Sequence, residues 1–314
     1  MTRRAVIDVG TNSVKILVAD VTGRHVEPVL EKSEQTRLGL GFYKTHLLQA
    51  KPIAATATVV ATYVNEARRL GAEVIRVIAT SAARDAHNRD ELIQAIHLKS
   101  GVLPVVISGE REAELAFAGV TTDPLLANVP LLLLDVGGGS AEFVVGAGPL
   151  QFFRRSFPLG TVRLAEEIQP DDPPTDGQFA NAISQLTQYL SSTVKPILDP
   201  VLSQVFREEV RLVGTGGTST ILARMKLQSA SFDRSRIENV RLTTGEVADM
   251  ESLLWSLPLA ERRRLPGLPV DRADVILGGV SIFCAVMKVF GIAELAMSTR
   301  GLRFAAVMDE ALDG

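Results

Sequence analysis

The sequence predicts an α/β protein made of two related domains, and three observations carry that prediction. The chain has 314 residues, 46% hydrophobic and 22% charged. That is an ordinary globular composition with apolar material for a large core, and the length corresponds to about two domains of roughly 100–200 residues each. Short β-branched runs alternate with segments of helical periodicity along most of the chain. Most informative, one supersecondary unit occurs twice. Val6-Ile7-Asp8-Val9-Gly10-Thr11-Asn12-Ser13-Val14-Lys15-Ile16-Leu17-Val18 aligns without gaps on Leu133-Leu134-Asp135-Val136-Gly137-Gly138-Gly139-Ser140-Ala141-Glu142-Phe143-Val144-Val145. Asp, Val, Gly and Ser coincide, and apolar positions meet apolar positions on both strands. An Asp closing an apolar strand is costly unless it is used or paired. Its recurrence at the same offset argues for duplication over the general likeness of any two hairpins.

In order along the chain, strands are expected over 5–9 and 14–19, joined by the Gly10-Thr11-Asn12-Ser13 turn, and a third over 27–31. Residues 52–70 have helical periodicity, with Pro52 near the start and Gly71 as the stop. Val74–Ala79 reads as a buried strand, 90–99 as a helix and 104–107 as another strand. Ser108 is placed to cap the helix carrying Glu110, Glu112 and Glu114. The pattern then restarts with strand Leu131–Val136, the Gly137-Gly138-Gly139-Ser140 turn and a returning strand over 142–145. A Pro- and Asp-rich break at 170–174 precedes a long helix over 176–198. A strand at 211–213 leads into Gly214-Thr215-Gly216-Gly217-Thr218. Helices over 244–255 and 273–290, a strand Glu294–Met297 and a terminal helix over about 302–314 complete the chain. The expected domains are 1–124 and 125–314, with the terminal helix packing back on the first.

Composition also removes function classes. A formal net charge of -3 gives no general attraction to nucleic acid. Cys284 is the only cysteine, so an internal disulfide and a cysteine-rich zinc cluster are both excluded. Its apolar surroundings, Val280 to Val286, read as core. The N-terminal residues reach Asp8 before any long apolar stretch develops, and no run is long enough to span a bilayer. The cytoplasm is the expected location. The four histidines show no metal-ligand spacing.

The glycine turns carry the chemistry. Gly10-Thr11-Asn12-Ser13, Gly137-Gly138-Gly139-Ser140 and Gly214-Thr215-Gly216-Gly217-Thr218 each follow an apolar strand. Glycine lets backbone N–H groups converge on an anion, and Thr, Ser and Asn add uncharged donors. Together with Lys15, these segments have the ingredients of a phosphate cradle. Neither a G-x-x-x-x-G-K-[ST] loop nor the dinucleotide fingerprint in its strand–turn–helix context is present. Asp135 ends one strand and Glu142 lies on the returning strand of the same hairpin, so both can turn toward the loop. One or two acids with water and phosphate oxygens satisfy magnesium. Asp8, the equivalent of Asp135, is a third candidate ligand. Glu112 reads from pattern alone as part of a solvated helix face, and Arg84 as either a surface charge or a ligand group at the rim of a buried strand.

At this point the motifs resemble the exopolyphosphatase/guanosine-pentaphosphate phosphatase family in its short two-domain form. Ile7-Asp8-Val9-Gly10-Thr11-Asn12-Ser13 is similar to its D-[LIV]-G-[ST]-N-[ST] opening. Arg37-Leu38-Gly39-Leu40-Gly41 resembles its R-L-G-x-G segment, and 79–88 its A-T-S-A-x-R-x-A-x-N block. Ile107-Ser108-Gly109-Glu110-Arg111-Glu112-Ala113 resembles I-S-G-x-x-E-A, and 135–142 resembles D-x-G-G-G-S-x-E. Segments 157–164 and 214–218 complete the set. The resemblance implies the duplicated actin-like fold, ribonuclease H-like and shared with sugar kinases and heat-shock ATPases, with two domains around a central cleft. It further implies that Glu112 activates the attacking water, that Asp135 and Glu142 bind magnesium or manganese, and that Arg84 contacts substrate phosphate. The substrate would be inorganic polyphosphate or guanosine pentaphosphate. Nucleic acid and membrane are not expected partners, and a homodimer is compatible with the reading. Two departures stand out. Lys15 replaces an Arg or His, which loses any bidentate fork, and Ser298-Thr299-Arg300-Gly301-Leu302-Arg303-Phe304-Ala305 departs from S-x-x-G-L-R-E-G. An actin-like kinase and a non-catalytic binding regulator remain the rival readings.

Overall fold

Three strands open the chain as an antiparallel meander: β1 (Thr2–Val9), β2 (Ser13–Thr22) and β3 (His25–Gln35). β4 (Val74–Ala79) and β5 (Val105–Val106) then add in parallel beyond β1, giving the order β3-β2-β1-β4-β5. The alternation read from the sequence sorts these strands into two faces. Ala5, Ile7, Val9, Val14, Ile16 and Val18 pack with Val60, Tyr63, Val64 and Ala67 of the Ala50–Arg69 helix. Val6, Leu17, Ala19 and Ile78 pack on the other side with Ile107 and Leu115. At roughly 1.5–3 kcal/mol for each large apolar side chain taken from water, the two faces supply the bulk of this sheet's stabilisation. The face against Leu115 is also the one toward the Gly109–Val120 helix, which bears Glu112.

The structure is a computed structural model that describes residues 1–205 and 210–312. The chain divides into two compact units, Met1–Pro124 together with Arg300–Gly314, and Leu125–Thr299. In the second unit β6 (Leu131–Val136), β7 (Ala141–Ala147) and β8 (Leu150–Phe157) form another meander. β9 (Arg211–Thr215) adds in parallel to β6, β10 (Arg241–Thr243) lies at the edge, and β11 (Glu294–Met297) is parallel to β9. Its order is β10-β11-β9-β6-β7-β8. Read from the third strand of each meander, β8-β7-β6-β9-β11 repeats β3-β2-β1-β4-β5, so the duplication seen in thirteen aligned residues extends to a whole sheet. This is the duplicated actin-like α/β fold.

Several elements differ from the sequence expectation. β8 was not foreseen, and the strand expected over 104–107 is confined to Val105–Val106. The single helix expected over 176–198 is Asp176–Tyr189, a π-helical turn over Leu190–Val194 and a continuation over Lys195–Val205 that contains Pro200. Proline withholds an N–H from the helical ladder, and π turns, though rare, occur mostly as single turns inside α-helices, as this one does. The expected terminal helix is only Leu302–Ala306, followed by a 3-10 turn at Glu310–Leu312, and its last two residues lie outside the described residues. The Ala306 carbonyl accepts from Arg76 Nη1 at 2.8 Å instead of from a following helical N–H. No helix among the described residues is long and apolar enough to cross a membrane.

Candidate functional site

In the first unit the parallel strands end at one edge, and the segments leaving them are tied there. Thr80 N–H donates to Val9 O at 3.2 Å and Ile107 N–H to Ala79 O at 3.1 Å. The first glycine turn lies at this edge, closed by Gly10 N–H to Ser13 O at 3.1 Å. The chain leaving β3 then folds over it. Arg37 N–H donates to Asn12 O at 3.0 Å and Gly39 N–H to Thr11 O at 2.7 Å. Arg37 adopts φ 52, a left-handed conformation unusual for a residue with a side chain. Gly39 is required because a Cβ there would overlap Thr11 Cγ2.

With the carbonyls of Thr11, Asn12 and Ser13 engaged, two of the turn's side-chain groups are left over. Thr11 is 3% and Asn12 6% exposed, and neither Thr11 Oγ1 nor Asn12 Nδ2 has a hydrogen-bond partner. A buried polar group in that state costs about 1–3 kcal/mol, a cost that an anionic ligand would remove. Ser81 Oγ, just past β4, is also buried and unpartnered. In the sequence Ser81 stands only as one residue of the 79–88 motif, with no task of its own, since a serine after a strand is ordinary.

Glu112 and Arg84 meet in the same unit. Ser108 caps the Gly109–Val120 helix, its hydroxyl oxygen accepting from Arg111 N–H at 3.1 Å. This cap sets Glu112 in the first turn. Arg84 Nη1 donates to Glu112 Oε2 at 3.0 Å and lies 3.4 Å from Ile107 O. Both side chains are mostly shielded, 21% and 13% exposed. The motif residue Asn88 has a structural task, accepting from Leu48 N–H at 2.8 Å and donating to Leu48 O at 3.0 Å.

The charges of the two hairpins differ at one position. In the first, Asp8 pairs across the strands with Lys15, the Nζ lying 4.0 Å from Asp8 Oδ2. In the second, Asp135 pairs with Glu142. Cross-strand partners share a face, so the first copy sets a cation beside its aspartate and the second sets two carboxylates together. Glu142 is 1% exposed and Oε1 accepts from Ser156 Oγ–H at 2.7 Å. Two adjacent carboxylates fit a magnesium or manganese ion completed by water and phosphate oxygens. Asp8, beside an ammonium, fits that role less well. Among the described residues no group of three or more His, Cys, Asp or Glu could hold a metal.

The second turn is clamped as the first is. Thr161 N–H donates to Gly137 O at 3.0 Å, Val162 N–H to Gly138 O at 2.8 Å and Arg163 Nε to Gly139 O at 3.0 Å. Gly160 crosses Gly138 so closely that a Cβ would overlap its backbone, the counterpart of Gly39 over Thr11. The third glycine segment is not a turn between strands. β9 runs through Thr215 and the Gly216–Lys226 helix starts at once. Gly216, at φ +88, lies against Asp135, where a Cβ would overlap Oδ1. Gly214 is packed in the core beside Phe283 and Leu295, and Thr218 is turned against Gly279. Gly217 faces the Arg272 guanidinium, about 4 Å from where its Cβ would stand. Arg272 and Ser156 drew no attention in the sequence, and Arg163 only as part of the 157–164 segment, because each acts through a neighbour set by the fold.

Comparison with known proteins follows the same lines. Residues 17–313 match the model of the Ppx/GppA phosphatase family. The chain is 32% identical over 292 residues to exopolyphosphatase 2 of Mycobacterium tuberculosis, covering 90% of this chain and 89% of that protein. It is 27% identical over 316 residues to exopolyphosphatase 1 of Mycobacterium bovis, covering 99% and 90%. Among solved structures, the Aquifex aeolicus member of the Ppx/GppA family superposes with a TM-score of 0.79 at 29% identity, covering 99% of this chain and 98% of that one. An exopolyphosphatase from Cytophaga hutchinsonii, 23% identical and covering 100% and 98%, shares the fold with a TM-score of 0.87.

Proposed function

The chain belongs to the Ppx/GppA phosphatase family, and from that premise we propose that it hydrolyses terminal phosphoanhydride bonds, with inorganic polyphosphate as the first substrate and guanosine pentaphosphate as the second. One observation carries the reading. Glu112 is held by Arg84 at 3.0 Å in a unit whose glycine turn leaves two buried side-chain donor groups unpartnered. Relatives named exopolyphosphatase support polyphosphate as the first choice.

Each group then has a task. Thr11 and Asn12 bind phosphate oxygens, and Lys15 adds positive charge on the neighbouring strand. Arg84 can turn a second N–H toward a terminal phosphate while it orients Glu112. Glu112 orients a water and takes its proton as the water oxygen attacks phosphorus. The bridging P–O bond breaks, and its electron pair leaves with the shortened chain. Asp135 and Glu142 are the residues that would hold magnesium or manganese, whose charge offsets that of the phosphate oxygens.

Phosphate release in magnesium from long-chain polyphosphate, guanosine pentaphosphate and ATP tests the proposal. Glu112→Gln is expected to fold, to bind, and to lose about 10²–10⁴ in turnover. Undiminished turnover in that variant would remove Glu112 from its role. Phosphate transfer to an added acceptor, with none released to water, would favour the kinase reading, and binding without any release a regulator.

A further inference from the structure

Gln35 is the last residue of β3 and pairs across the strands with Ser13, the final residue of the first glycine turn. Both atoms of its carboxamide, Nε2 and Oε1, are buried and have no hydrogen-bond partner. A primary amide has two donors and an accepting oxygen, so leaving all of it unused inside a protein is more expensive than a single orphaned hydroxyl.

Register fixes which way this amide faces. Asp8 pairs with Lys15, Lys15 with Ser33 and Ser13 with Gln35. With side chains alternating along each strand, Asp8, Ser13, Lys15 and Gln35 share one face. It is the face formed by Val6 and Leu17, which packs with Leu115 of the helix bearing Glu112. Gln35 therefore belongs to the side of the sheet that carries the proposed chemistry, one strand out from the turn. Thr11 Oγ1, Asn12 Nδ2 and the Gln35 amide are orphaned within a few residues of one another in the pairing.

The chain around Gln35 is held firmly, so the amide is not orphaned through slack. Thr36 Oγ1 accepts from Thr56 Oγ1 at 2.9 Å in the interior, Leu38 is fully buried, and the 37–39 backbone is bonded to Thr11 and Asn12. The second hairpin has no equivalent. Extending the β7–β8 register by one residue places Pro158 opposite Ser140, and proline offers no side-chain donor. The amide is thus a feature of the copy with the cation, not of the copy with two carboxylates.

We propose that Gln35 is a further binding residue of the first unit's phosphate site, its Nε2 donating to a phosphate oxygen of the bound polyphosphate beside Thr11 and Asn12. The inference rests on the phosphohydrolase reading. Calorimetric titration of tripolyphosphate in magnesium tests it, with thermal midpoints measured for wild type, Gln35→Met and Gln35→Glu. A hydrogen bond to a charged group corresponds to roughly 10- to 100-fold in affinity. Gln35→Met should bind that much more weakly while its midpoint stays level or rises, because the orphaned amide is gone. Gln35→Glu, of the same shape but anionic, should bind more weakly still and regain part of its affinity at high salt. If both variants bind as wild type does, the inference fails and the phosphohydrolase reading stands. If Gln35→Met does not fold, Gln35→Glu alone decides, and wild-type affinity in it overturns the proposal. Failure of the wild type itself to bind tripolyphosphate removes the reading and the inference together.

Discussion

Lys15 and Glu142 hold one register position in two copies of the same hairpin, each directly across from an aspartate. The exchange of a cation for an acid leaves one copy with an opposite-charge pair and the other with two carboxylates on one face. Lys15→Glu would build a second pair of adjacent carboxylates, and on the proposed function it would do so where phosphate binds. We expect KM for tripolyphosphate to rise roughly 10- to 100-fold, the magnitude of one charged contact, with a smaller deficit at high salt. An unchanged KM at low salt would show that Lys15 faces no substrate. Cys284 illustrates the opposite case, a reactive residue type with no task. Burial, with Glu251 beside it, pushes its thiol from an ordinary value near 9.0 up to about 12. The folded protein should resist alkylation at pH 8 and react only when unfolded. A raised thiol favours the folded state below the unfolded value, so its contribution is lost as pH climbs from 9.0 through about 12.

Two glycines at equivalent places show what the elements require. Gly39 passes over Thr11 and Gly160 over Gly138, in both cases too close for a side chain. Gly160→Ala must push the turn away and should cost about 1–3 kcal/mol, seen as a lowered urea midpoint. Gly177→Ala is the control, in the first turn of a helix with its nearest neighbour, Thr175 Oγ1, at 4.0 Å. It should be neutral or stabilising by about 0.4–1 kcal/mol, and equal losses at both sites would show that the crossing is not the cause. These elements were unequally legible. The hairpins could be read from period-two patterning and their repetition, and Ser108 as a cap from its place before an acidic first turn. The helix at Gly216 could not, because glycines and threonines are poor helix formers and the close approach to Asp135 that explains Gly216 exists only in the fold. β8 was hidden by Arg154-Arg155, which breaks the apolar alternation at a sheet edge. Orphaned groups such as Gln35 and Ser81 are invisible in any sequence, since having no partner is a property of the fold.

At the scale of the whole chain, the first unit is entered twice, by residues 1–124 and again from Arg300 onward. The second entry completes its core. Leu302, Phe304, Ala305, Ala306 and Val307 are buried with Val6, Leu17, Ile78 and Leu115. Arg303 Nη1 donates to Ile16 O at 2.8 Å, and Arg111 pairs with Asp309. This bears on the departure at position 304, where the family pattern has Glu and this chain has Phe. Phe304 is 1% exposed, and the Arg300 guanidinium lies 5.6 Å from its ring centroid. Position 304 is therefore core in this chain, and a glutamate there should not be tolerated. Phe304→Ala should cost about 3–5 kcal/mol through lost burial and the cavity left behind. Phe304→Glu should cost more, because a carboxylate would lie among apolar side chains with the Arg300 guanidinium beside it. Total stabilities are about 5–15 kcal/mol, so either change should move the urea midpoint of unfolding far. A Phe304→Glu protein as stable as wild type would show that Arg300 can serve a carboxylate at this position as well as it serves the ring.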